Sequence, residues 1–144
     1  HQIAPLAAAG YRVAVPDQRG YGGSSKPLAV RDYNIRELAA DVVGVARALG
    51  YDEFNLIGHD WGCLVAWNTA LLHPDTCRAV MGLSVPFWRA NEATIAPPGY
   101  DDRFWYIRYF QDAGPAEEEL ERDLQASLLK LYYGLSADSP YGAW

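Results

Sequence analysis

The chain has 144 residues, of which 50% are apolar and 21% charged, with a formal charge of −6. That length supports one hydrophobic core and not two full domains, and the composition excludes a disordered or collagen-like chain. The longest charge-free stretches, 61–72 and 79–88, are shorter than the roughly 20 apolar residues of a membrane helix, and no basic stripe suits nucleic acid.

From the first residue onward two hydrophobic periods alternate. Ile3 to Ala9 reads as a helix closed by Gly10, and Tyr11 to Val15 as a strand. Pro16 to Tyr33 is a long loop rich in glycine and serine. Ile35, Leu38, Ala39, Val42, Ala46 and Leu49 then recur at helical spacing. Asn34 is placed to cap that helix, Glu37 suggests a capping box, and Gly50 ends it. Phe54 to Ile57 is a short apolar strand, Trp61 to Leu72 a buried helix stopped by His73-Pro74, and Ala79 to Val85 a third strand closed by Pro86. Strands separated by helices predict an α/β fold with parallel strands covered on both faces. After Pro86 the strand pattern stops, aromatic residues multiply, and Leu120, Leu124, Leu128 and Leu131 mark one helix. The expected division is a core over 1–86 and a helical cap or lid over 87–144.

Charge is concentrated in the lid. Six acids and Arg122 between 112 and 123 make −5, which leaves −1 for the remainder. This run could dock a basic partner, but it follows Gly114-Pro115, and proline followed by acids suits the first turn of a solvated helix. Cys63 and Cys77 make a poor disulfide framework, so a reducing compartment, the cytoplasm, is the default expectation.

Chemistry is concentrated at Gly58-His59-Asp60-Trp61-Gly62, directly between a predicted strand and a predicted helix. A strand that turns into a helix so abruptly strains the apex residue, and small residues two before and two after relieve the crowding, as in a nucleophile elbow. The apex here is Asp60. A helix N-terminus favours the charged form of its carboxylate, which can attack an electrophilic carbon, and supplies backbone N–H groups for an oxyanion. The plainer alternative makes Gly58 and Gly62 turn residues and Asp60 a helix cap; the position at the carboxyl end of a parallel strand favours the nucleophile.

Together with Pro16-Asp17-Gln18-Arg19-Gly20-Tyr21-Gly22-Gly23-Ser24, Leu83-Ser84-Val85-Pro86-Phe87 and Tyr106-Ile107-Arg108-Tyr109-Phe110-Gln111, this segment resembles the epoxide hydrolases of the α/β-hydrolase superfamily. The resemblance extends through the Gly114-Pro115-Ala116-Glu117 segment and so covers nearly the whole chain. It implies a partial α/β-hydrolase fold with the start of a helical lid. It also implies that Asp60 attacks an epoxide carbon, that the Trp61 N–H forms half of an oxyanion hole, and that Tyr106 protonates the epoxide oxygen. Tyr109 takes that role if the register slips by one turn. A phenol suits it, being a donor that stays neutral at pH 7. Otherwise Tyr106 simply packs within the cluster of Phe104, Trp105, Tyr109 and Phe110. No metal or organic cofactor is implied. The aromatic lid predicts an apolar epoxide, with water as the second substrate.

Other parts of the family pattern are missing. The late histidine that would activate water has no counterpart among His1, His59 and His73. Nor does the chain contain the His-Gly-x-Pro loop or the second lid tyrosine. The sequence therefore reads as a fragment truncated at both ends, with part of its apolar surface left exposed. Haloalkane dehalogenases share the elbow and are the rival enzyme, with the Trp61 indole binding halide; a truncated chain that only binds a ligand or partner is the rival of another class.

Weaker patterns stand beside these. Gly20-Tyr21-Gly22-Gly23-Ser24-Ser25 approaches a dinucleotide loop, but Ser25 stands where a third glycine belongs and no helix follows until Asn34. Asp17 and Arg19 are better read as tying this loop down by buried pairing. His59, Cys63, His73 and Cys77 fit no compact metal spacing. Cys63 stands where the family usually has a small residue, and either packs like alanine or narrows the pocket.

Overall fold

A computed structural model describes residues 1–87 and 106–139. The chain separates into two compact units, His1–Trp88 and Arg89–Trp144.

In the first unit, helix α1 (Ile3–Ala8) ends before Gly10, whose φ of 90° turns the chain. The expected strand over Tyr11–Val15 does not form. A strand exists only by exchanging bonds with a neighbour, and the one ladder among the described residues lies elsewhere, so Val15 stays 68% exposed. The loop that follows is tied down at two points. Asp17 accepts from the Gly23 amide at 2.9 Å, and Arg19 grips both carboxylate oxygens of Asp41 at 2.7 and 2.9 Å while donating to the Asp32 carbonyl at 2.7 Å. Each residue anchors the loop as expected, although neither pairs with the other and the Asp41 side chain stays partly exposed.

Helix α2 (Ile35–Ala48) starts where the cap predicts. Asn34 Oδ1 accepts from the amides of Arg36 and Glu37 at 3.0 and 3.2 Å. The Glu37 carboxylate lies 3.8 Å from Arg19. Strand β1 (Phe54–His59) then pairs in parallel with β2 (Cys77–Leu83), and α3 (Trp61–Leu72) connects them. β2 begins two residues earlier than expected and stops at Leu83, because Ser84 adopts φ 76° and leaves the ladder.

α3 packs on both strands and against α2, burying Cys63, Val65, Ala66 and Thr69 together with Ala39 and Val43. Within the first unit, α3 covers one face of the sheet. The register pairs Ile57 with Met81 on the opposite face, where they remain 45% and 56% exposed. Among the described residues of this unit the expected cover on the second face is not seen, while the expected exposure of apolar side chains is.

In the second unit, α4 (Tyr106–Tyr109), α5 (Pro115–Glu121) and α6 (Leu124–Gly134) follow in order. α5 starts at Pro115 after Gly114 at φ 110°, and the Glu117 carboxylate returns to accept the Gly114 amide at 2.7 Å. The single helix expected from Leu120 to Leu131 is instead broken at Asp123. That residue leaves helical geometry with φ −145° and caps α6 by accepting from the Ala126 amide at 3.0 Å. A new cap satisfies first-turn N–H groups, and this outweighs continuity of the leucine spacing.

Candidate active site

The elbow occupies the passage from β1 to α3, and its geometry follows from one crowded glycine and one strained residue. At Gly58 an added Cβ would lie 2.3 Å from the Gly62 carbonyl oxygen, so only glycine permits the approach. Asp60 between them holds φ 52° and ψ −121°, a conformation that costs a non-glycine residue about 1–3 kcal/mol. Its amide donates to the Leu83 carbonyl at 3.3 Å, and its own carbonyl accepts from the Cys63 amide at 2.9 Å. The backbone is thereby tied on both sides.

Asp60 occupies the N-cap position of α3, yet its side chain makes no capping bond there. This separates it from Asn34 and Asp123, whose side chains do cap their helices. The Asp60 residue is exposed, and Trp61 beside it is 52% exposed. The first amides of any helix have no intrahelical acceptor and carry its positive end. A carboxylate and the first amides of α3 are therefore held at one point, at the carboxyl end of β1. His59 is the last residue of β1, exposed and paired in register with Leu83.

Crowding at the two elbow glycines is unequal. A Cβ at Gly62 would meet only the Gln18 amide nitrogen, at an ordinary 3.6 Å. This also brings Gln18, which sequence patterns did not single out, from the loop to the elbow; nothing in its local sequence signals that contact. Cys63 is fully buried behind the turn, with its thiol 3.1 Å from the Gly58 carbonyl and 2.9 Å from that of Leu83. It is a hydrogen-bonded member of the core, more than an alanine substitute. The four residues weighed as a metal set do not converge: among the described residues no group of three or more His, Cys, Asp or Glu could hold a metal ion.

The tyrosines belong to the second unit. Tyr106 opens α4 and meets Phe110 edge to face, with ring centres 6.2 Å apart. Tyr109 donates its hydroxyl to Glu119 at 2.5 Å. That bond raises its pKa above the ordinary phenol value of 10.0, helped by burial and by the charges of Glu119 and Glu117. Tyr109 is thus engaged in joining α4 to α5. Phe104 and Trp105, expected in the same aromatic cluster, lie outside the described residues.

Residues 1–137 match the family described as alpha/beta hydrolase fold. Epoxide hydrolase A of Mycobacterium tuberculosis is 45% identical over 141 residues, an alignment that takes in 94% of this chain and 43% of that protein. Among solved structures, Epoxide Hydrolase A from Mycobacterium thermoresistibile superposes with a TM-score of 0.79 at 42% identity, over 99% of this chain and 49% of that one. An epoxide hydrolase from an endophytic Streptomyces gives 0.80 at 43% identity, over 94% and 42%. The chain spans less than half the length of each of these relatives. No helix among its described residues is long and apolar enough to cross a membrane.

Proposed function

The chain belongs to the alpha/beta hydrolase fold family, and from that premise we propose that it serves an epoxide hydrolase, which converts an apolar epoxide and water into a vicinal diol. The observation that carries this reading is Asp60, exposed, uncapped and held at φ 52° between β1 and α3. One carboxylate oxygen attacks an epoxide carbon, forming an ester bond as the ring C–O bond breaks. The departing oxygen takes the Tyr106 phenol proton. Water then attacks the ester carbonyl carbon, the developing oxyanion accepts from the Trp61 N–H, and collapse restores the Asp60 carboxylate and releases the diol, while the proton freed in hydrolysis returns to the Tyr106 phenolate. This second step needs a base, and His1, His59 and His73 are not assigned to it. His73 in particular lies at the opposite end of α3 from Asp60.

The kinship with epoxide hydrolases favours an epoxide over a haloalkane as the electrophile. In this reading the enzyme works in the cytoplasm, where Cys63 and Cys77, both free, stay reduced. The test is covalent. Folded protein incubated with styrene oxide should gain one adduct on the peptide carrying Asp60, and Asp60→Asn should gain none. An unlabelled Asp60 in folded wild-type protein would sink the assignment.

A further inference from the structure

One turn apart on α3, Cys63 and Trp67 both reach across to the segment where β2 ends. The Cys63 thiol, with a single proton, is shared between the carbonyls of Gly58 and Leu83 at 3.1 and 2.9 Å. The Trp67 indole N–H donates to the Val85 carbonyl at 3.1 Å, and its ring meets Phe87 edge to face at 5.9 Å. The fit on β2 is close, since a Cβ on Gly82 would lie 2.5 Å from the indole ring. Between the two gripped carbonyls Ser84 is twisted to φ 76°, and the Leu83 carbonyl also accepts from the Asp60 amide at 3.3 Å. The two non-glycine residues at positive φ among those described, Asp60 and Ser84, therefore each follow one end of the last register pair, His59 with Leu83.

We propose that Cys63 and Trp67 are positioning residues, a two-point strap that clamps the exit of β2 to the elbow and so holds Asp60 in its strained, attack-ready orientation. Strain of this kind persists only where surrounding contacts over-determine it, and these two donors, with the Asp60 amide, supply such contacts. The strap deepens the reading of Asp60 as nucleophile and rests on it for its chemical consequence. Its mechanical consequence, an immobile Asp60 amide, stands apart from that chemistry.

Both consequences can be measured on the full chain. Cys63→Ala removes the thiol donor, Cys63→Ser keeps a donor, and Trp67→Phe keeps a ring over Gly82 without the N–H. Amide hydrogen exchange at Asp60 should rise about fivefold or more in Cys63→Ala and Trp67→Phe, the scale of one lost hydrogen bond. Exchange at Val43 in α2 should stay unchanged, and Cys63→Ser should restore protection at Asp60. The rate of adduct formation with styrene oxide should fall about tenfold in the first two variants and recover in Cys63→Ser, as loss of attack geometry predicts. Unchanged exchange at Asp60, or a rise shared equally by Val43, would overturn the strap. If wild type forms no adduct while the selective exchange pattern holds, the strap stands and the nucleophile assignment fails.

Discussion

The α-carbon of Gly58 faces the carbonyl of Gly62 so closely that a methyl group there would lie 2.3 Å from the oxygen and 2.8 Å from the Cys63 α-carbon. Both obstacles are backbone, so neither can rotate away. Gly58→Ala should therefore cost at least about 3 kcal/mol, the upper range for overpacking. Gly62→Ala meets only Gln18 and replaces glycine near the start of α3, so its effect should lie between zero and a gain of about 1 kcal/mol. Urea unfolding of the two variants checks the asymmetry; equal losses would contradict it.

Asp60 at φ 52° and ψ −121° is strained without a capping bond in return. Asp60→Gly should raise stability by about 1 kcal/mol, since relief of strain exceeds the entropy cost of glycine, while abolishing adduct formation. Thermal melting alongside mass spectrometry reads both. A drop in melting temperature would indicate that the carboxylate stabilises the fold.

Asn34 carries the start of α2 through two accepted amides. Asn34→Ala should cost about 1 kcal/mol and Asn34→Asp, which keeps an acceptor, only a small part of that. Chemical denaturation followed by far-ultraviolet circular dichroism compares them. A neutral Asn34→Ala would mean that packing of Ala39 and Val43 alone holds the helix.

Tyr109 titrates above the ordinary phenol value, first because of its bond to Glu119, then because of burial and nearby acids. A folded pKa raised above the unfolded one makes the Tyr109–Glu119 tie contribute fully below about pH 10, and the contribution is lost as pH rises through the folded pKa. The phenolate absorbance removed by Tyr109→Phe should therefore appear at higher pH than that of a free tyrosine. Glu119→Gln should move it back down. No movement in Glu119→Gln would show that burial and Glu117 set the shift without Glu119.

Several features were legible because their causes are local. Asn34, the apolar spacing that follows and Gly50 lie within one segment, and α2 forms there. The elbow is equally local, since Gly58 and Asp60 must both serve a turn completed within five residues. Gly114-Pro115 likewise starts α5 through adjacent groups. The leucines from 120 to 131 misled because their period runs through Asp123 while that side chain caps a new helix.

By itself, then, the sequence determined where α1, α2, α3 and α5 begin, where the chain must bend at glycine, and which carboxylate stands at the bend. Only tertiary structure decided that Tyr11–Val15 forms no strand, that α3 packs on both β1 and β2, and that β2 ends in a twisted Ser84. It also decided that the Cys63 thiol shares the Leu83 carbonyl with the Asp60 amide, and that Tyr109 finds Glu119. Caps and turns are satisfied by neighbours along the chain, so their residues announce them. Ladder bonds, the shared Leu83 carbonyl and the Tyr109–Glu119 tie take partners ten or more residues away, and those partners are chosen only when the elements pack.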